Sequence, residues 1–341
     1  MNKIKFYFIV LIAAIAISSC NKDDDDIEVT PPRDYAEQYA ADIDSIEKFL
    51  NTNYISEVVD NPGFPDDQDV TLKVIPAGGN QPSLMSYLDS PTLPRLSSRN
   101  VKLGDVTYKM YTLVIREGME GGADPSKLAG GEYPCNLDAV FAGYKGTLLD
   151  GTVFDSSNDG QQQYNLYGGS YDGGIGVIRG WGECFPQFKA GWLASKADGT
   201  VSYNDFGVGV MFLPSAMGYY NQVSGSIPAY SPLVFSVKLY AVKRYDHDAD
   251  GILSYQEDLD GDRYMYSFAT GVENPDDTDE DGIPDCFDFD DDGDNYATRG
   301  EIKKADGTYY AFDEIPDCSG DQTKPDRLKR HLDPNCTKMS Q

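Results

Sequence analysis

Carboxylates recur at alternate positions between Asp246 and Glu257, a spacing that suits a divalent cation. Calcium loops of twelve residues place oxygen ligands at positions 1, 3, 5, 7, 9 and 12, with a glycine at position 6 for the sharp turn. Gly251 occupies that sixth position. The potential ligands are Asp246, Asp248, Asp250, the carbonyl of Ile252, Ser254 and Glu257. The pattern therefore predicts an EF-hand-like calcium loop.

Two further loops follow the same pattern. The second would use Asp277, Asp279, Asp281, the carbonyl of Ile283, Asp285 and Asp288, and the third would reuse Asp288 and continue through Asp290, Asp292 and Asp294. In the third loop Arg299 stands at position 12 and Glu301 comes two residues later, so we expect this loop to be longer or weaker. Such overlapping loops resemble thrombospondin type 3 repeats. The role of another triplet, Asp258, Asp260 and Asp262, stays open.

The charge of the chain agrees with bound cations. The formal net charge is −28, and residues 246–341 hold 27 acidic and 9 basic side chains. Closely spaced carboxylates repel one another unless cations lie between them. We expect structural calcium here, because extracellular loops of this kind bind the ion weakly. A polyanionic protein also repels nucleic acid, which argues against that class of partner.

Upstream of the acidic tail, an Asp150-Gly151 pair between apolar flanks predicts a tight hairpin. Three strings rich in apolar and aromatic residues follow it in order. They are Val177-Ile178-Arg179-Gly180-Trp181, then Leu213-Pro214-Ser215 with Tyr219, then Ile227-Pro228 with Leu233-Val234-Phe235.

Together with the segment Tyr144–Asp155, these strings resemble the hallmark motifs of FKBP-type peptidyl-prolyl cis-trans isomerases, over about Asp105–Lys243. The resemblance implies an α+β fold, in which an antiparallel sheet wraps around a short helix. The expected strands are Val106–Arg116, Phe141–Thr147, Thr152–Phe154 and Leu233–Val242, and the expected helix is Gly180–Phe188.

The resemblance also implies an aromatic pocket for a proline ring, with no nucleophile, general acid or catalytic cofactor. Its residues would be Tyr144, Phe154, Asp155, Val177, Ile178, Trp181, Tyr219 and Phe235, with Ile227 in a flap and Tyr164 as a further wall. Trp181 would form the floor, the N–H of Ile178 would hold a substrate carbonyl, and Asp155 would lie at the rim. The clients would be proline-containing exported proteins.

The chain departs from the family pattern in three places. Gly218-Tyr219-Tyr220 replaces the usual Ala-Tyr-Gly, the run Gly168–Gly176 is inserted, and the stretch from Gly191 to Leu213 is long. Two other functions therefore stay open: a non-catalytic FKBP-like binding module, and a calcium-dependent surface interaction protein.

The N-terminus predicts a cell-envelope location. Lys3 and Lys5 precede an apolar run, Phe6–Ile17, that is too short to span a bilayer and is typical of a signal peptide. Ile17-Ser18-Ser19-Cys20 resembles a bacterial lipobox, which would lipidate Cys20 and anchor the protein in the outer membrane; an ordinary secretory signal is the alternative. The acidic run that follows resembles the surface-export signal of Bacteroidetes lipoproteins, and a periplasm-facing anchor is the alternative.

These features predict five regions. They are a signal peptide (1–19), an acidic tether (20–33), a helical and accessory extension (34–100), the isomerase domain (101–244) and the calcium-binding module (245–341). Apolar residues at helical spacing predict a helix over Asp34–Tyr54, and a short strand is expected at Val70–Ile75. We expect a disulfide between Cys318 and Cys336. A Cys135–Cys184 bond that leaves Cys286 unpaired is possible, and the sequence predicts no oligomeric state.

Overall fold

The computed structural model describes residues 31–58, 70–119, 131–157, 162–169, 174–195, 198–268 and 271–336, together with the backbone of 127–128. The predicted signal peptide, Cys20 and the acidic run Asp23–Asp26 lie outside these residues. The chain divides into two compact units, Met1–Arg33 and Asp34–Gln341, and all described helices and strands belong to the second. None of the helices in the described ranges is long and apolar enough to cross a membrane.

The described helices are α1 (Tyr35–Thr52), α2 (Arg179–Cys184) and α3 (Thr298–Glu301). The strands, in chain order, are β1 (Asn53–Val58), β2 (Val70–Val74), β3 (Arg95–Leu103), β4 (Val106–Arg116), β5 (Lys127–Leu128), β6 (Ala139–Leu148), β7 (Val153–Ser157), β8 (Gln163–Asn165), β9 (Ile175–Gly176), β10 (Trp192–Ser195), β11 (Val201–Asn204), β12 (Gly207–Leu213) and β13 (Leu233–Lys243). A 3₁₀ turn, Phe185–Gln187, continues α2.

The main sheet has the strand order β3-β4-β12-β13-β6-β8-β9, and β7 pairs with β6. Every pair is antiparallel except β8–β9, which is parallel over two residues of each strand. The sequence predicts an antiparallel sheet. The observed sheet is mixed, because it contains this one short parallel pair. Two smaller sheets stand apart from it: β1 with β2, and β11-β10-β5. In the second of these, β10 and β11 come from the long stretch between Gly191 and Leu213, and β5 comes from an earlier part of the chain.

The central strand β12 is buried along its whole length, because both faces of the main sheet are covered. Met211 and Leu213 belong to the apolar cluster around α2, which contains Trp181. Val210 and Phe212 belong to the cluster around α1. Alternate residues of a strand point to opposite faces, so α2 and α1 lie on opposite faces of the sheet.

Helix α1 begins where the sequence predicts it. The carboxylate of Asp34 caps its first turn by accepting from the N–H groups of Ala36 (2.9 Å) and Glu37 (3.1 Å). Ile46 and Leu50 are fully buried in the cluster between α1 and the sheet. The helix therefore packs on its own compact unit.

Residues 246–336 form a segment with little regular structure, which we call the acidic module. It contains α3 and several 3₁₀ turns, and Ile252, Ile302 and Ile315 form a small core. The expected disulfide between Cys318 and Cys336 is present.

The possible Cys135–Cys184 bond is absent from the described residues, in which Cys135, Cys184 and Cys286 are buried, unpaired thiols. Cys184 belongs to the cluster around α2, whereas Cys135 packs with Cys286 in a separate cluster. The two cysteines of the predicted pair are thus held in different cores.

Candidate functional site

The hairpin β6–β7 brings two of the predicted pocket aromatics to one face of the sheet. Gly151 takes a φ of +89° in the turn, which the N–H of Leu148 closes by donating to the carbonyl of Thr152 at 2.9 Å. Behind the turn, the ring of Phe154 lies over Gly146, where a Cβ atom would fall inside van der Waals contact with the ring. The missing side chain at Gly146 therefore makes the room that the Phe154 ring occupies.

Trp181 is the centre of the aromatic group. Its ring is 4% exposed and is met edge-on by Tyr144, Tyr164 and Phe235, with centroid distances of 5.0, 5.2 and 5.4 Å. Phe185 packs against it from the 3₁₀ turn at 5.2 Å. Its indole N–H is buried, and no described residue accepts a hydrogen bond from it. The structure therefore puts Trp181 at the base of the group, where the sequence predicts the pocket floor.

The remaining predicted wall residues pack on the same cluster and stay partly exposed: Phe154, Val177, Ile178 and Tyr219. The ring of Phe154 meets that of Phe235 edge-on at 5.5 Å. Ile178 precedes the first turn of α2 with extended backbone angles, φ −64° and ψ 150°. Within the described part of the chain its N–H has no hydrogen-bond acceptor, so it is available to a carbonyl oxygen from outside.

Asp155 is exposed at the edge of this group and is held in place by Tyr144, whose hydroxyl donates to the Asp155 carboxylate at 2.6 Å. Burial first, and then this hydrogen bond, raise the pKa of Tyr144 well above its ordinary value. Tyr144 therefore stays neutral and continues to donate at any physiological pH.

Ile227 is buried in the same cluster as Trp181. It lies in a tight loop in which Ser224 and Ile227 exchange backbone hydrogen bonds of 3.1 and 2.9 Å. Tyr220, which departs from the family pattern, takes a φ of +51° and stacks on Tyr35 of α1 at 4.3 Å. The tyrosine that replaces the usual glycine thus makes its stacking contact with α1.

Of the two remaining rings that pack on Trp181, the sequence motifs name Tyr164 and do not name Phe185. Tyr164 lies where the sequence predicts a further wall, although the inserted run Gly168–Gly176 makes its alignment loose. Phe185 was not predicted as a site residue, and its only sequence signal is helical spacing, four residues after Trp181.

Two predicted calcium loops and the segment that begins at Asp258, whose role stays open, share one backbone contact: the first carboxylate accepts the N–H of the sixth residue. Asp246 accepts from Gly251 (3.1 Å), Asp258 from Arg263 (2.8 Å) and Asp277 from Gly282 (3.0 Å). Asp290 accepts from Asn295 in the same way, at 3.0 Å. This contact indicates a third loop that begins at Asp290, whereas the sequence pattern begins it at Asp288.

This register makes Glu301 the twelfth residue of the third loop, in place of Arg299. Glu301 is fully buried, and neither of its carboxylate oxygens has a partner among the described residues. Burial, followed by the charges of Asp292 and Asp294, raises its pKa to about 9. The sequence pattern places Glu301 two residues after position 12, because Gly293 is a sixth residue only when the count begins at Asp288.

A carboxylate from outside the first loop joins the carboxylates of that loop. One oxygen from each of Asp248, Asp250, Glu257 and Asp291 lies within 4.8 Å of the others. Burial and the neighbouring carboxylates raise the pKa of Glu257 to about 11 and that of Asp291 to about 10. All four residues carry a buried oxygen without a partner in the described chain. Buried like charges at this distance are stable only when a cation or protons lie between them.

Of the other predicted calcium ligands, some lie in clusters of carboxylate oxygens and others make hydrogen bonds to neighbouring residues. Asp277, Asp279 and Asp281 form one oxygen cluster, and Asp290, Asp292 and Asp294 form another. Asp246 has a buried, unpartnered oxygen, and the charge of Asp288 acts on Asp279. Two predicted ligands are engaged elsewhere: Asp285 accepts from Thr278 N–H (2.8 Å) and hydroxyl (2.7 Å), and the hydroxyl of Ser254 accepts from His247 N–H (3.2 Å).

Comparison with known proteins decides the family. The sequence model of FKBP-type peptidyl-prolyl cis-trans isomerases matches residues 130–197. Over 113 residues the chain is 35% identical to FK506-binding protein 1 of Yarrowia lipolytica, an alignment that covers 33% of this chain and 88% of that protein. The chain belongs to the FKBP family.

Two other matches cover less than half of the matched protein. The chain is 35% identical over 124 residues to the FKBP-type peptidyl-prolyl cis-trans isomerase FkpA of Aeromonas hydrophila, covering 36% of this chain and 38% of that protein. The crystal structure of FkpA from Escherichia coli is 29% identical and covers 39% of this chain and 48% of that one, with a TM-score of 0.27. A second sequence model, described as BamM C-terminal, matches residues 247–325.

Family membership makes the domain an FKBP-type peptidyl-prolyl cis-trans isomerase, as its motifs predict. Isomerases of this family need no catalytic cofactor. The roles of the individual pocket residues, the five region boundaries, the lipid anchor and the calcium loops stay predictions.

Proposed function

We propose that this FKBP isomerises X-Pro bonds of exported proteins, held at the outer membrane by a lipid on Cys20 and stabilised by calcium in its acidic module. The observation that carries the isomerase proposal is the aromatic group around Trp181. It combines a buried floor, partly exposed walls and the N–H of Ile178, which has no acceptor among the described residues.

The reaction needs binding of a twisted amide rather than bond-making chemistry. Amide resonance holds the X-Pro bond planar, and rotation faces a barrier of about 18–20 kcal/mol. A pocket that binds the twisted form more tightly than the planar one lowers this barrier, about tenfold in rate for each 1.36 kcal/mol.

Each of the pocket residues has its own role in binding the twisted amide. The rings of Phe154, Trp181 and Phe235 exclude water from the proline ring and its amide, which favours the less polar, twisted state. The N–H of Ile178 holds a substrate carbonyl while the bond rotates. Asp155, tied to Tyr144, places a carboxylate at the rim beside the rotating bond.

Calcium in the acidic module is supported by the buried, unpartnered carboxylates. Glu257, Asp291 and Glu301 each bury at least 97% of their surface, and their oxygens face other carboxylates. Calcium takes six to eight oxygen ligands, largely carboxylates and carbonyls, which is the chemistry these loops offer. The ions would hold together a segment with a small apolar core.

The location of the enzyme is supported by sequence alone. Buried acyl chains contribute about 0.8 kcal/mol per methylene, so a doubly or triply acylated Cys20 would anchor the protein durably. Membrane attachment would place the pocket among newly exported chains. Orientation at the cell surface follows from the acidic run after Cys20, and a periplasm-facing anchor is the alternative.

A protease-free cis-trans assay on short X-Pro peptides tests the isomerase proposal. We expect the unit Asp34–Gln341, in millimolar calcium, to accelerate isomerisation, and Phe154→Ala to lower kcat/KM at least about tenfold. Phe141→Ala is the matched control, because Phe141 packs on the opposite face of the sheet and should leave the activity of the folded protein unchanged. A folded protein without rate enhancement would favour the non-catalytic binding module.

Glu257→Gln separates the two parts of the proposal. It should lower thermal stability in calcium and leave the isomerase rate of the folded protein largely intact. Loss of turnover at unchanged stability would contradict this separation of pocket and acidic module.

A further inference from the structure

One polar contact links α1 to the segment that carries Tyr219. Asp42 is 2% exposed, although it is an ionisable residue on a helix. One of its oxygens accepts from both the N–H (2.8 Å) and the hydroxyl (2.6 Å) of Ser215. The other accepts from the side-chain amide of Gln38 at 2.6 Å. Hydrogen bonds to a carboxylate are about twice as strong as those between neutral groups.

Ser215 in turn holds the backbone on either side of Tyr219. It begins the 3₁₀ turn Ser215–Met217, and its carbonyl accepts from the N–H groups of Gly218 (3.0 Å) and Tyr220 (2.8 Å). Because Tyr219 lies between these two donors, its main chain is fixed from both sides by the residue that Asp42 binds.

The far end of the same segment is also tied to α1. The N–H of Tyr230 donates to the carbonyl of Tyr220 at 2.5 Å, and Gln38 donates to the carbonyl of Tyr230 at 3.4 Å. Tyr35, at the start of α1, stacks on Tyr220. The segment from Ser215 to Tyr230, which includes Ile227, is thus closed into a loop whose two ends meet α1.

This loop has little regular structure of its own. Outside the 3₁₀ turn, its described secondary structure is the Ser224–Ile227 bridge. A wall built on such a loop adopts its bound geometry only when neighbouring groups hold it there. α1 lies outside residues 130–197, which match the FKBP sequence model, so the contact joins the loop to an element beyond the matched segment.

We propose that Asp42 is a positioning residue of the isomerase, which fixes the Tyr219 wall and the Ile227 loop through Ser215. This inference rests on the proposed isomerase function of the pocket. Because Asp42 holds the Tyr219 wall in place before a substrate binds, the substrate does not have to order that wall. The helix α1 is in this sense part of the site.

The test compares Asp42→Ala with Asp44→Ala in the full-length protein. Asp44 is exposed on the same helix, so its substitution changes the charge equally but breaks no contact to the loop. We expect Asp42→Ala to raise KM for an X-Pro peptide roughly tenfold with kcat within about twofold, and Asp44→Ala to leave both unchanged. Ser215→Ala should change KM in the same direction by less, and the double variant should be no worse than Asp42→Ala.

Hydrogen–deuterium exchange gives a readout that does not depend on turnover. Amides of residues 215–230 should exchange faster in Asp42→Ala, whereas those of β6 and β13 should keep their wild-type rates. Three results for Asp42→Ala would each overturn the proposal: a KM equal to that of the wild type, unchanged exchange of the amides of residues 215–230, or faster exchange throughout the sheet. If the wild-type protein lacks isomerase activity, the proposed function fails, and localised exchange would still show that Asp42 holds the loop.

Discussion

Gly146 controls the position of the Phe154 ring, because any side chain at residue 146 would collide with it. We predict that Gly146→Ala displaces the ring from the pocket wall and lowers kcat/KM about tenfold or more, since misplacement of a wall by about 1 Å can cost up to a hundredfold. The measurement is the cis-trans assay combined with thermal unfolding, which should show a much smaller loss of stability than of activity.

Gly143 provides the matched control on the same strand. A Cβ atom there would lie 2.7 Å from the hydroxyl oxygen of Tyr240, in the core on the α1 side of the sheet. Gly143→Ala should therefore lower stability and leave the activity of the folded fraction near wild type. Equal loss of activity in the two variants would show that Gly146 has no special relation to the pocket.

Single residues of the pocket were predictable where turn chemistry or a motif fixes them locally. The Asp150-Gly151 turn sets the register of Phe154, and Trp181 follows Ile178 by three residues, which places both at the start of one helix. Asp42 was not predictable in this way. Its partner Ser215 lies 173 residues away, and no local pattern reports a contact of that range.

Among the elements, those whose apolar residues recur with a clear period were predicted closely, and the polar edge strand β3 was not. The strand Val106–Arg116 was predicted with the bounds that the structure gives β4. The sequence pattern predicts no strand at β3, whose sequence is rich in Ser, Arg and Lys, yet β3 pairs with β4 along its whole length. One face of this edge strand is exposed, and the hydrophobic period is weak there for that reason.

The register of the third acidic loop yields a test at the same scale. If Glu301 closes this loop, Glu301→Gln should weaken calcium binding by about tenfold at one site, which is about 1.4 kcal/mol. Calorimetric titration measures the affinity. Glu273→Gln, an exposed change of the same charge, should have no effect. Unchanged calcium binding by Glu301→Gln would favour the alternative in which the third loop begins at Asp288.

The acidic loops also predict that the stability of the protein falls as pH rises when calcium is removed. Without a cation, Glu257 and Glu301 have pKa values of about 11 and about 9 in the folded state, against 4.5 ordinarily. Their folded pKa values are raised, so their contribution to stability is fully present below pH 4.5 and is lost as pH rises towards 9.

In chelator, the midpoint of thermal unfolding should therefore fall as pH rises from 5 to 8. In millimolar calcium the ion replaces the protons, and the midpoint should hold or rise over the same range. Scanning calorimetry at matched ionic strength makes the comparison. Parallel pH profiles with and without calcium would mean that these carboxylates bind no ion.

At the scale of the whole molecule, the acidic module packs against α2, the helix that carries Trp181. The hydroxyl of Tyr264 donates to the carbonyl of Glu183 (2.8 Å), and that of Tyr266 donates to its carboxylate (2.6 Å). Arg99 from β3 binds the same carboxylate and lies over the ring of Tyr264 at 3.3 Å. The regions predicted as 101–244 and 245–341 thus belong to one compact unit, Asp34–Gln341. Composition reveals the acidic module but not the contacts it makes.

Asn136 makes the most complete link between the two regions. Its side-chain amide donates to the carbonyl of Met265 (2.8 Å) and accepts from the N–H of Met265 (3.0 Å), and its own N–H donates to the carbonyl of Arg263 (3.1 Å). Asn136 is 7% exposed and Met265 is 1% exposed. Truncation at Asn136 would leave a buried N–H and a buried carbonyl without partners, at about 1–3 kcal/mol for each group.

We therefore predict that Asn136→Ala uncouples the unfolding of the acidic module from that of the FKBP domain. In calcium, the wild-type unit should unfold in one calorimetric transition, whereas the variant should show an earlier transition of the acidic module and a later one of the sheet. Asn100→Ala, an exposed change on β3, should keep the single transition. A single, unshifted transition in Asn136→Ala would mean that the other contacts, at Glu183 and Arg99, suffice to hold the two regions together.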